Sequence, residues 1–293
     1  LEPALDFRAT PTPAQIQHGT DNILSHLEIH KGDVEAALAV ATHVVEGVYE
    51  TGAQEHVYLE NQGMIAWVEG EGPDSVVCVR GSMQCPYYVL NALTHALGRD
   101  EKHVRVIQAP TGGGFGGKED YPSNLAVHAA LLALKARTGG GAGHPVKIIY
   151  DRAEDMAATT KRHPARVTHR TGVDASGRIV AQDIRVQLDA GAYITLSPVV
   201  LSRGIIHAGG PYACDNVRII GDAILTNSVA YGAFRGFGAP QTEFALERHT
   251  DVVAQAIGMD PIEFRRLNLI RDGQSTSTGQ VINDGTDRVG IMD

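Results

Sequence analysis

The chain has 293 residues, 43% hydrophobic and 20% charged, enough for a sizeable core in one domain or two. Its formal net charge of −9 argues against a nucleic-acid surface, and no apolar run is long enough to span a bilayer. Its cysteines, Cys78, Cys85 and Cys214, form no C-x-x-C pair, which excludes the close thiolate spacing of zinc and iron–sulfur sites and fits a reducing, cytoplasmic compartment.

Residues 1–32 are rich in proline and polar side chains and read as a connector from a preceding domain. Asp33 is placed to cap a helix over 34–41, followed by strands at 43–49, 64–68 and 75–80. A helix over 85–97 has Pro86 in its first turn and Gly98 as its stop. A strand at 103–107 leads into the run Thr111-Gly112-Gly113-Gly114-Phe115-Gly116-Gly117-Lys118-Glu119-Asp120, and an apolar helix is expected over 125–136. A second glycine run at 138–143 lacks a phenylalanine and a following helix, and reads as a surface loop before a strand at 146–150. Alternating strands at 168–173 and 178–188 flank the turn Asp174-Ala175-Ser176-Gly177, and another covers 217–226. Helices follow at 242–257 and after Asp260-Pro261. Residues 272–293 read as the start of a further segment. The class is α+β, with mostly antiparallel strands.

The first glycine run suits close backbone approach and positive φ, and its amides can form an anion-binding concavity. It satisfies two nucleotide patterns on paper. A P-loop needs Ser or Thr after the lysine, where this chain has Glu119 and then Asp120, carboxylates that would repel a triphosphate. A dinucleotide fingerprint needs the helix to open inside the motif and a parallel sheet, which the downstream hairpins disfavour. A glycine-loop nucleotide-binding protein therefore stands as the alternative of a different class. The plainest reading, that the glycines serve tight packing alone, weakens when three neighbours are considered. These are Ser82-Met83-Gln84, the loop-like segment Ser202-Arg203-Gly204-Ile205-Ile206-His207, and Gly232-Ala233-Phe234-Arg235-Gly236-Phe237-Gly238-Ala239-Pro240.

Together with Gln54-Glu55-His56-Val57-Tyr58-Leu59-Glu60, these motifs resemble, in order and spacing, the molybdopterin-binding part of the xanthine dehydrogenase and aldehyde oxidase family, the molybdenum hydroxylases. The resemblance runs from about Asp33 to Arg271 and implies the first half of that family's molybdopterin-binding domain over 33–271. By it, Gln84 matches the glutamine whose amide lies beside an oxygen ligand of the metal. Phe115 and Gly116 match residues against the metal and the pterin, with the glycines admitting that flat cofactor. Arg235 matches an arginine whose main chain meets the pterin. No side chain is expected to ligate molybdenum directly. Glu119, Arg203 and Phe237 match substrate-facing residues of the xanthine-oxidising members, with His207 keeping its offset from Arg203. Aldehyde oxidases tend to carry neutral residues at the first two of these places, so a purine such as xanthine or hypoxanthine is expected. Aldehydes or other N-heterocycles are the same-family alternative. Carbon monoxide dehydrogenases carry a cysteine in the 232–238 loop, where this chain has Ala233 and Phe234.

The resemblance further implies hydroxylation of an electron-poor carbon with oxygen from water. The cofactor would be molybdenum–molybdopterin or its cytosine dinucleotide form. Electrons would leave through 2Fe-2S and FAD partner subunits in a hetero-oligomeric dimer of assemblies. The family's catalytic base sits in a G-E-P-P-like segment that does not occur here, so it is expected beyond Asp293, and Glu119 does not replace it. Residues 1–293 alone are expected to be inactive.

Overall fold

The structure, a computed structural model, describes residues 5–138 and 144–292. Nine strands and seven α-helices occur among these residues. In chain order the first are β1 (Ile23–Lys31), α1 (Val34–Val40), β2 (His43–Thr51), β3 (Gly63–Glu69), β4 (Val76–Gly81), α2 (Pro86–Leu97), β5 (Val104–Gln108) and α3 (Pro122–Thr138). They continue with β6 (Val146–Ile149), α4 (Arg152–Ala158), β7 (Ala165–Val173), β8 (Ile179–Gly191), α5 (Ser197–His207), β9 (Val217–Leu225), α6 (Ala239–Ala256) and α7 (Pro261–Asn268). The α+β class follows, with two mixed sheets.

The elements divide between two units. One draws on residues up to Ala53, on His163–Ser228 and on residues from Gly236 onward; the other on Gln54–Arg162 and Val229–Arg235. The first unit holds a five-stranded sheet in the order β1-β9-β8-β7-β2, antiparallel except for the β8–β9 pair, which α5 connects. Alternation buries Val167, Ile184, Val186, Leu188 and Ile219 on one face of this sheet. Val200, Leu201 and Ile205 of α5, Leu246 and Val253 of α6, and Phe264 of α7 complete that core. The second unit holds a four-stranded sheet in the order β5-β4-β3-β6, parallel only between β4 and β5. Ala126, Ala129, Ala130 and Ala133 of α3 are buried, and small side chains at this 3–4 spacing let the helix lie close to the sheet.

Local signals explain several boundaries. Asp33 caps α1 by accepting from Ala36 N–H, and Asp260 caps α7 by accepting from Ile262 and Glu263 N–H. Gly98 ends α2 in the left-handed region, at φ +59°. Other expectations shift. The stretch 1–32 contributes β1, an edge strand paired to β9. α3 begins at Pro122, and α6 at Ala239. Arg203 and His207 stand on helix α5 rather than on a loop. The turn 174–177 forms as expected, with Asp174 Oδ1 accepting from the Ser176 and Arg178 amides. Of the second glycine run, residues 139–143 lie outside the described residues.

Candidate cofactor and substrate site

The glycine run joins β5 to α3 in the second unit, and its density answers first to protein neighbours. A Cβ at Gly114 would stand 2.4 Å from Gln84 Oε1, and one at Gly116 would stand 2.7 Å from Ala233 O. At Gly117 it would meet the Tyr58 and His56 rings at 2.8 and 2.9 Å. The space beside these three glycines is therefore occupied by the chain itself.

What the loop leaves open is specific. Gln84 Oε1 accepts from Gly116 N–H at 3.0 Å and Lys118 N–H at 3.2 Å, while Gln84 N–H donates to Lys118 O at 2.6 Å. With its oxygen so engaged, Gln84 has its Nε2 without an acceptor among the described residues. The consecutive amides of Gly113, Gly114 and Phe115 also have no acceptor among them. A run of amide donors beside a free side-chain N–H is the donor set that an anionic, oxygen-rich cofactor needs, so the residues present fit such a group.

Phe115 sits at φ +52° and Gly116 at φ +100°, with Gly117 N–H bonded back to Gly114 O at 2.8 Å. These φ values are those of a type I′ turn, which strains any residue bearing a Cβ. The same turn recurs in the first unit. There Phe237 has φ +47°, Gly238 has φ +88°, and Ala239 N–H bonds to Gly236 O at 3.1 Å.

The segment before that second turn lies against the first loop. Arg235 N–H donates to Phe115 O at 2.8 Å, and Arg235 O accepts from Arg162 Nη2 at 3.1 Å. Phe234 stacks on the His56 ring at 4.4 Å, and the Arg162 guanidinium lies 3.8 Å from its ring centre. Burial pulls Arg162 down to about 10. His56 Nε2 bonds to Ala233 O at 2.7 Å, and burial lowers the pKa of this histidine. The Arg235 side chain is exposed, so its main chain, rather than its charge, is what the fold fixes.

Lys118 does not face a ligand. It is fully buried, with Nζ donating to Glu60 O at 2.6 Å, Glu60 Oε2 at 3.0 Å and Ser82 Oγ at 3.1 Å. Its ammonium is therefore out of reach of a nucleotide phosphate. Beneath the loop, Tyr58 Oη donates to Asp155 Oδ1 at 2.6 Å, and Gln62 Nε2 donates to Gly117 O at 2.7 Å. Glu119, at the loop's far end, is half-buried, and burial followed by the charge of Asp120 pushes its carboxyl above the usual range. Burial and the same two carboxylates raise the Cys85 thiol, so the three groups share one neighbourhood.

The second unit thus brings together Gln84, Phe115, Gly116, Glu119 and Arg235. Arg203 and Phe237 belong to the first unit. Arg203 is exposed on α5 with no ion pair among the described residues. Phe237 is half-buried against the core of that unit, and Gly238 is tight enough on α5 that a Cβ would stand 2.3 Å from Val200 O. Adjoining turns of the first unit therefore carry both. The sequence reading missed Lys118, Arg162 and Asp155 as structural members. Their only signal was charge beside apolar or glycine-rich sequence, which does not distinguish an inward from an outward side chain.

Comparison with known proteins identifies the family. The family model of the molybdopterin cofactor-binding domain matches residues 16–269. A probable xanthine dehydrogenase subunit from Bacillus subtilis is 39% identical over 256 residues, covering 87% of this chain and 33% of that protein. The nicotinate dehydrogenase large molybdopterin subunit of Eubacterium barkeri is 36% identical over 286 residues, covering 98% of this chain and 64% of that protein. The aldehyde oxidoreductase structure from Desulfovibrio gigas superposes with a TM-score of 0.87 at 27% identity, over 100% of this chain and 31% of that one. The chain spans a third to just under two thirds of the two curated relatives. It belongs to the molybdopterin-binding domain of the xanthine dehydrogenase and aldehyde oxidoreductase family.

Proposed function

We propose that this chain forms one wall of a molybdenum hydroxylase that oxidises a purine such as xanthine or hypoxanthine with oxygen from water. The observation that carries the reading is the divided glycine loop: partnerless amide donors at Gly113–Phe115, and a half-buried carboxyl of raised pKa at Glu119. The molybdenum–molybdopterin group, in its plain or cytosine dinucleotide form, supplies the oxygen-transfer and electron-accepting chemistry when bound. The residues of the chain bind and orient. The loop amides would donate to anionic oxygens of that group, and Gln84 Nε2 would be a further donor to it rather than a metal ligand. Phe115, Gly116 and the main chain of Arg235 complete that contact.

Glu119 holds a proton more readily than an ordinary glutamate, which suits it to share one with a ring nitrogen. Arg203 stabilises negative charge as it develops on the purine. Phe237 adds an aromatic contact worth about 0.5–1.5 kcal/mol. The catalytic base is assigned to no residue of 1–293, and this stretch alone is without turnover. The electrons would be accepted by 2Fe-2S and FAD partner subunits in a cytoplasmic dimer of assemblies. Three free thiols support that reducing setting, and no helix among the described residues is long and apolar enough to cross a membrane.

One observation favours a second reading within the family. The nicotinate dehydrogenase subunit aligns with 98% of this chain, so an N-heterocyclic acid is the competing substrate. Aldehydes come third. The test uses the full-length enzyme with its partners. Arg203→Met is expected to lower xanthine turnover by about 10- to 150-fold, the loss of a charge-assisted hydrogen bond of about 1.5–3 kcal/mol. Turnover of an aromatic aldehyde should be nearly spared. Equal losses on both substrates, or faster parent turnover of nicotinate than of xanthine, would refute the purine assignment.

A further inference from the structure

Lys118 ends the glycine run yet points into the protein. Its side chain is 0% exposed, and its ammonium lies 4.7 Å from the Tyr58 ring centre. An ammonium has three N–H donors, and here each has an acceptor: Glu60 O, Glu60 Oε2 and Ser82 Oγ. Glu60 Oε2 also accepts from Gly112 N–H at 2.7 Å. One carboxylate oxygen therefore ties the beginning of the loop to its end. Burial pushes the Glu60 carboxyl up, but bonds from Ser82, Gly112 and Lys118 outweigh it and leave its pKa lowered, while burial lowers that of Lys118 against the pull of Glu60; the tie rests on the three hydrogen bonds from Nζ.

The backbone of Lys118 serves the neighbouring group. Its N–H is one of two donors to Gln84 Oε1, and its C=O accepts from Gln84 N–H. The side-chain tether thus sets the position of the atoms that orient the Gln84 amide. Released from it, that amide loses one of two anchors and can rotate by half a turn. Rotation would present Oε1, an acceptor, where Nε2 now offers a donor.

We propose that Lys118, clamped by Glu60 and Ser82, is a positioning residue that holds Gln84 Nε2 and the Phe115–Gly116 turn toward the molybdopterin. The proposal rests on the reading of these groups as cofactor-facing. Lys118→Met in the full-length protein keeps the buried volume and leaves half-exposed Glu60 free to turn to water. Its melting temperature is expected within a few degrees of the parent. Its molybdenum per chain should fall about tenfold or more, as when the partners behind a metal site are removed. The electron paramagnetic resonance signal of its partly reduced molybdenum should be altered. Gln84→Met should change that signal in the same sense, and the double variant no further, because one residue acts through the other. Ser82→Ala removes a single Nζ acceptor and covers the case of a Lys118→Met that does not fold, with a smaller molybdenum loss and the same spectral change. Parent-like molybdenum content and spectrum in folded Lys118→Met, or in Ser82→Ala, would overturn the proposal. A parent protein devoid of molybdenum would instead overturn the reading of the site.

Discussion

At the scale of single residues, Gly116 packs closely on the segment around Ala233 and Phe234. A methyl group there would meet the Ala233 carbonyl, which is backbone and cannot swing away, at a φ of +100°. Gly116→Ala is therefore expected to cost about 1–3 kcal/mol and to lower molybdenum content. At Gly52 an added methyl would have no atom within 4 Å and φ is not positive, so Gly52→Ala should stay within about 0.5 kcal/mol of the parent. Thermal melts and metal analysis of both variants check this, and equal effects would contradict it. The need for glycine at 116 was legible in sequence, but its cause was not. The residues that exclude a side chain at 116 are Ala233 and Phe234, as Gln84 does at 114 and His56 and Tyr58 do at 117, and no local pattern announces such distant neighbours.

Among the elements, the two missed helices show opposite failures. α4 carries a capping box, Asp151 with Glu154, which is a readable signal on a helix of only seven residues. α5 carries Val199, Val200, Ile205 and Ile206 with Gly204 between them, and local propensity reads such a stretch as strand or loop. Tertiary contact decides it: Gly204 lets the first turn of α6 approach, with Gly238 O 3.6 Å from a Cβ at that position. β1 offers only a short apolar signal, since Leu27 and Ile29 alone face the core while His26, Glu28 and His30 bond to one another across the strand's other face.

Between β2, β7 and α6 lies a buried histidine pair. His169 stacks on His249 at 4.9 Å, with Tyr49 edge-on to both. Burial lowers His169 to about 3 and His249 to about 4. Both values lie below that of a free imidazole, so under about pH 6.5 the unfolded chain binds more protons than the folded one. Stability is complete above that pH and falls as the pH drops toward 4, by about 2 kcal/mol per histidine at pH 5. Denaturant melts of the full-length protein at pH 7 and pH 5 should differ less in His169→Phe, by about that amount. An unchanged difference would show that the pair does not titrate on unfolding.

On the scale of the whole chain, family membership was legible because several short motifs recur in order, while sheet order and the course of the 1–32 stretch were not. The sequence carried the chemistry of Gln84, Glu119 and Arg203 as types, but the fold had to supply which amide atom is committed and which is open. Coverage of a third to two thirds of the curated relatives also bears on cofactor retention. Residues 1–293 produced alone should hold well under one molybdenum per chain, and the full-length protein close to one. Equal content in both would show that this wall suffices.

The two Gly-Phe-Gly turns lead to an expectation about directed selection. Each places a phenylalanine where the backbone favours glycine, but only Phe237 is packed against a core, and Phe115 is 48% exposed. A library randomised at both positions and sorted for heat resistance alone should drift to glycine at 115 and keep an aromatic at 237. Sorted for metal uptake, it should keep phenylalanine at 115. The point where the two sorts diverge would mark which of two identical turns the protein keeps under tension for its ligand.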